Sequence, residues 1–74
     1  MPELSLAGVR RLMRKAGVSR VGQDAVEALR EYIEDVAVQV AKIALELAEH
    51  AGRKTVQKED VLRAVRLLSE AKKQ

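Results

Sequence analysis

Apolar residues recur along this chain at the three- and four-residue spacing of a single helix face, in three runs separated by two short links. In the first run Leu6, Val9, Leu12, Met13 and Ala16 share a side, with Ser5 placed to cap the start and Gly17 placed to end it. Arg10, Arg11, Arg14 and Lys15 fill the opposite side. After the link Val18-Ser19-Arg20-Val21-Gly22, a second run extends from about Gln23 to Ala51, where Gly52 stops it. A helix of that extent spans roughly 43 Å, far more than a small globule needs. A third helix is predicted from near Gln57, carrying Val61, Leu62, Ala64, Val65 and Leu68 inward and fading into a frayed tail at residues 69–74.

The long helix carries two apolar stripes. Ala25, Leu29, Tyr32, Ile33, Val36, Val40, Ile43 and Leu47 form one, with Tyr32 read as core; Ala37, Ala41, Ala44 and Ala48 form the other. Glu27, Arg30, Glu31, Glu34, Asp35, Gln39, Lys42, Glu46 and Glu49 make the remaining strip polar. Two short flanking helices cannot cover so wide an apolar face, so a second long helix is expected to pack across it, with the small alanines allowing a close crossing. The pattern therefore predicts an all-α, obligate dimer of helix, link, long helix, link and helix, in which the β-prone links Val18 to Val21 and Lys54 to Val56 are free to pair between partners.

Length and composition sharpen this picture. A chain of 74 residues is one domain at most, with an ordered core expected over about residues 4–68, and it buries too little apolar surface to be comfortably stable alone. With no cysteine, disulfides and thiolate metal sites are excluded, and the lone His50 matches no zinc or calcium spacing, so neither metal nor cofactor is expected and oligomerisation is the remaining remedy. No apolar run approaches a membrane span and no signal-peptide core is present, which predicts a soluble intracellular protein. Asparagine, tryptophan and phenylalanine are absent, a composition in keeping with a hot habitat. The net charge of +3 is unevenly spread: residues 1–22 carry +4, residues 23–52 carry −5 and residues 53–74 carry +4. A fold that brings the two ends together makes a basic face beside an acidic one. No nucleophile is paired with a base and there is no glycine-rich phosphate loop, so the chain is not read as an enzyme.

A short helix, a long one and a short one joined by basic links resemble the histone fold, archaeal histones above all. The resemblance runs from about Leu4 to Leu68 and rests on Ala16-Gly17 followed by Arg20-Val21, on His50-Ala51-Gly52-Arg53-Lys54-Thr55, on Glu59-Asp60 and on Ala64-Val65-Arg66. It implies an intertwined head-to-tail dimer in which each first link meets the partner's second link. Arg20 of one chain and Thr55 of the other would then hold the edges of an inward-facing minor groove of double-stranded DNA, a setting that suits weakly hydrated arginine. Arg11 and Arg14 would reach phosphates near the dimer centre and Lys54 another, whereas Arg53 would clamp Asp60 structurally. The plainer alternatives are a solvated helix face for Arg11 and Arg14, ordinary link residues for Arg20 and Thr55, and for His50 a helix-end histidine favoured by the dipole.

The resemblance also implies a dimer-to-dimer contact made by Leu47, His50 and Asp60. Here Arg63 stands where the family usually places an apolar residue, and Glu49 stands at a place often basic. Either Arg63 pairs with Glu49 or Asp60 of a neighbour, preserving stacking into tetramers or longer fibres, or the contact weakens and a dimer remains. Arg10 replaces a position commonly small, adding charge beside the expected DNA face, and Gly22 starts the long helix more weakly than serine would. The implied function is sequence-nonspecific DNA binding, bending and compaction by a homodimer on the chromosome in the cytoplasm. Two rivals stand beside it: a heterodimerising histone-fold subunit of a transcription or replication complex, possible with other histone-fold chains as partners, and a purely structural helical oligomer.

Overall fold

The computed structural model describes residues 2–72. Its described elements are α1 (Leu6–Lys15), α2 (Gln23–His50) and α3 (Lys58–Ala71), with no strand among the described residues. The chain divides into two compact units, Met1–Val36 and Ala37–Gln74, and α2 contributes to both.

Local chemistry explains where each helix begins and ends. Ser5, in extended backbone, accepts the Gly8 N–H on its Oγ at 3.0 Å and satisfies one of the orphan donors of α1. At the other end of α1, Gly17 adopts φ 98°, its N–H donates to the Arg14 carbonyl at 2.9 Å, and the Val18 N–H donates to the Met13 carbonyl at 3.0 Å. That is a Schellman turn, which needs a residue free to enter the left-handed region. α2 ends the same way: Gly52 has φ 75°, with Gly52 N–H to Glu49 O and Arg53 N–H to Ala48 O both at 2.9 Å. Both basic links therefore leave their helices through the same reversal.

In the first unit Val9 and Val26 are fully buried, with Leu6, Met13, Val21, Leu29 and Ile33 half-buried around them. The N-terminal segment is tied to α2 by Glu34, whose Oε2 accepts the Leu4 N–H at 2.7 Å and the Glu3 N–H. These donors lower the Glu34 pKa, led by the Leu4 hydrogen bond, against an opposing push from burial. In the second unit Ala44, Ala48 and Ala64 are buried, together with the charged Asp60.

The single chain buries only part of what the helical period aligns. Within one copy Tyr32 is 58% exposed, and Val61, Leu62 and Val65 are exposed as well. Ala37 and Ala41 lie open while Ala44 and Ala48 are covered, so the alanine stripe is buried only along its C-terminal half. Val26, assigned to neither stripe, proves central. The physical reason is common to all: helical period shows which residues share a side, but which side finds a neighbour depends on tertiary packing. In the tail, α3 continues through Ser69 and Glu70 to Ala71, and Lys73 and Gln74 lie outside the described residues.

Candidate nucleic-acid interface

The first basic surface lies where α1 hands over to its link. Arg10, Arg14 and Arg20, with Val18, Ser19, Val21 and Gly22, line one groove of about 570 Å³. Arg10 and Arg14 come to it together because residues four apart share a helix side, and the Gly17 reversal brings the link carrying Arg20 to the same groove. No carboxylate lines it, and none of the three guanidinium groups has an ion pair or a side-chain hydrogen bond among the described residues. Arg11 is not part of this set. It lines a neighbouring groove of about 370 Å³ with Lys15, over an apolar floor that includes Leu4, Val9 and Leu12. The two arginines proposed from sequence as a pair, Arg11 and Arg14, thus serve different grooves, and Arg10, noted only as added charge, shares one with Arg14.

The second link is organised by a single ion pair. Arg53 donates through Nη1 to Asp60 Oδ2 at 2.8 Å and through Nη2 to Asp60 Oδ1 at 2.9 Å. Its Nη1 also donates to the Thr55 carbonyl at 3.1 Å, so the guanidinium holds the link and the start of α3 at once. Asp60 does further duty as a cap: it accepts the Gln57 N–H on Oδ2 at 2.8 Å, while its own N–H donates to the Gln57 carbonyl at 3.0 Å. The Arg53 hydrogen bond first, then that of Gln57, hold the Asp60 carboxyl down at a pKa of about 2 against the opposing effect of burial. The same pairing raises the Arg53 pKa. Lys54 and the Thr55 side chain are left exposed on the turn so fixed.

Beside this clamp, Leu47, His50, Ala51, Arg53, Glu59, Asp60 and Arg63 line a groove of about 530 Å³. It gathers every residue expected at a contact between dimers except Glu49, which sits with Glu46 and His50 at a separate hollow. In contrast to the first groove, its cations are accompanied by carboxylates. Among the described residues no cluster of histidine, cysteine and carboxylates is arranged to hold a metal ion, and no helix is long and apolar enough to cross a membrane.

The helix order and the two Gly-terminated basic links match a known family. Residues 2–65 fit the family model described as histone-like transcription factor (CBF/NF-Y) and archaeal histone. The chain belongs to that histone-fold family. Among relatives of this histone-fold chain, one of the subunits of archaeal histone HAN1 from Thermococcus zilligii is 56% identical over 66 residues, covering 89% of this chain and 98% of the relative. Probable archaeal histone 3 of Methanocaldococcus jannaschii is 42% identical over the same coverage of each. Similarity extends to histone H4 of Encephalitozoon cuniculi, 39% identical over 67 residues, or 85% of this chain and 61% of that one. The all-α architecture expected from the sequence is therefore that of the histone fold.

Proposed function

We propose that this histone-fold chain acts as a homodimer that binds, bends and compacts duplex DNA without reading its sequence, as a chromosomal protein of the cytoplasm. The observation that carries the reading is the division of labour among its arginines: Arg53 is committed inward to Asp60, while Arg20 of the first link and Arg14 of α1 share an unpaired groove. The inward arginine fixes the turn, and the outward ones meet phosphate and the narrow minor groove, with Lys54, Thr55 and Arg11 adding contacts. Such binding takes its affinity from phosphate neutralisation, falls steeply with salt and favours easily bent DNA. Family membership supports this reading, as do the relatives named as archaeal histones.

The homodimer is supported by apolar side chains that a single chain leaves open, Leu12 at 53% exposed in the first unit and, in the second, Leu62 at 56% exposed with Val61 and Val65 also open. A partner chain covers them and brings the first link of one copy to the second link of the other. The test is Arg20→Ala in an electrophoretic shift assay: a marked loss of DNA affinity with the dimer intact is expected, and unchanged affinity removes Arg20 from the interface. A heterodimeric form is the second reading, favoured by the Thermococcus zilligii relative being named as one subunit of its histone. Sedimentation of the purified chain separates the two, because a heterodimer's component is unfolded alone and folds on mixing with its partner chain.

A further inference from the structure

We infer that Arg10 completes a three-arginine phosphate site with Arg14 and Arg20, and that this groove, more than the outer surface of α1 as a whole, is where the chain takes hold of a DNA phosphodiester. The inference deepens the DNA-binding reading and rests on it for the identity of the phosphate. Its basis is geometric and electrostatic. Arg10, Arg14 and Arg20 line a space of about 570 Å³ whose lining holds no carboxylate among the described residues. Arg10 is half-buried, whereas Arg14 and Arg20 are exposed. None of them has a counter-charge among the described residues. The other cation-lined groove of comparable size answers its arginines with Glu59 and Asp60. Like charges gathered on one surface repel one another, and an oxyanion relieves that repulsion while accepting the forked N–H groups that suit guanidinium to phosphate.

The consequence is quantitative. Each phosphate neutralised on duplex DNA contributes about 0.9 to the slope of log affinity against log salt, which over a fourfold change in salt amounts to about 3.5-fold in affinity. Titration of a short duplex across that salt range with the wild type, Arg10→Ala, Arg10→Lys and, as a control of equal charge on α3, Arg66→Ala reads it directly. Arg10→Ala, which removes one cation from each protomer of the proposed homodimer, is expected to flatten the slope by up to about 1.8, Arg10→Lys to restore most of it, and Arg66→Ala to leave it unchanged. Equal slopes for Arg10→Ala and wild type, or the same flattening in Arg66→Ala, overturn the site. A second titration, with inorganic pyrophosphate followed through the arginine Nε–Hε NMR signals, needs no DNA. Signals of Arg10, Arg14 and Arg20 moving together to saturation support the site; shifts spread evenly over Arg66 and the other exposed arginines overturn it. Saturation by pyrophosphate in a protein that fails to bind duplex at low salt retires the DNA reading and leaves the anion site standing.

Discussion

Arg53 and Asp60 meet through two parallel hydrogen bonds, 2.8 and 2.9 Å long, with one end of the pair largely out of water. Seven residues apart, they close the second link on itself, and the same guanidinium pins the Thr55 carbonyl. Arg53 is thus a positioning residue for Lys54 and Thr55. Asp60→Ala is expected to lower the melting temperature more than Asp60→Asn, which keeps an acceptor for Gln57 N–H, and both are expected to weaken DNA binding without touching a phosphate-facing side chain. Thermal melts paired with shift assays check this; a full-affinity Asp60→Ala protein that is still folded removes the positioning role.

The same pair sets an acid limit. Asp60 is held at a pKa of about 2 in the folded chain, below the roughly 3.9 of an unfolded aspartate. Its contribution to stability is complete above about pH 5, where both states are ionised, and is lost as pH falls through the unfolded value towards 2, because the unfolded chain takes up the proton first. Glu34, shifted in the same direction, adds to the loss. Denaturation followed from pH 6 to pH 2 is expected to steepen below about pH 4, and Asp60→Asn to flatten that limb; identical limbs for wild type and variant rule the pair out as its origin.

Gly52 offers a cleaner test of the backbone. A Cβ there meets no atom within 4 Å, so the cost of Gly52→Ala is conformational alone, at φ 75°. About 1–2 kcal/mol of destabilisation is expected by urea titration, with Gly52→Asn milder because asparagine tolerates the left-handed region. An alanine variant as stable as wild type shows that the turn relaxes to another form.

Leu62 distinguishes the paired chain from the lone one. It is 56% exposed in the single chain, where Leu62→Gln is nearly neutral on a monomer's surface. In a homodimer that covers it, the substitution costs about 2 kcal/mol and shifts the monomer–dimer equilibrium. Sedimentation equilibrium and melts at several protein concentrations report this; a melting temperature independent of concentration in the wild type argues against the homodimer.

Which parts of this molecule are legible in the sequence follows from the range of the forces involved. Ser5, Gly17 and Gly52 are readable because capping is settled within four or five residues. Val26 defeats a reading by period because burial is settled by parts of the chain far away in sequence, and within one copy the alanine stripe divides halfway for the same reason. Separating Arg14 from Arg11 needs only attention to four-residue spacing, which pairs Arg10 with Arg14 and Arg11 with Lys15. Burial of the charged Asp60 has no local signal; only the resemblance of Arg53-Lys54-Thr55 and Glu59-Asp60 to a known family points to it.

The open side of α3 has a bearing on supply. Val61, Leu62 and Val65 all face water in one copy, so unpaired chains are the ones proteases and misassembly can reach. In the proposed homodimer pairs form in proportion to the square of free chain, so a halving of synthesis at low abundance would cut the mated form about fourfold by mass action. Output of the gene would then govern how much genome is dressed far more sharply than in simple proportion.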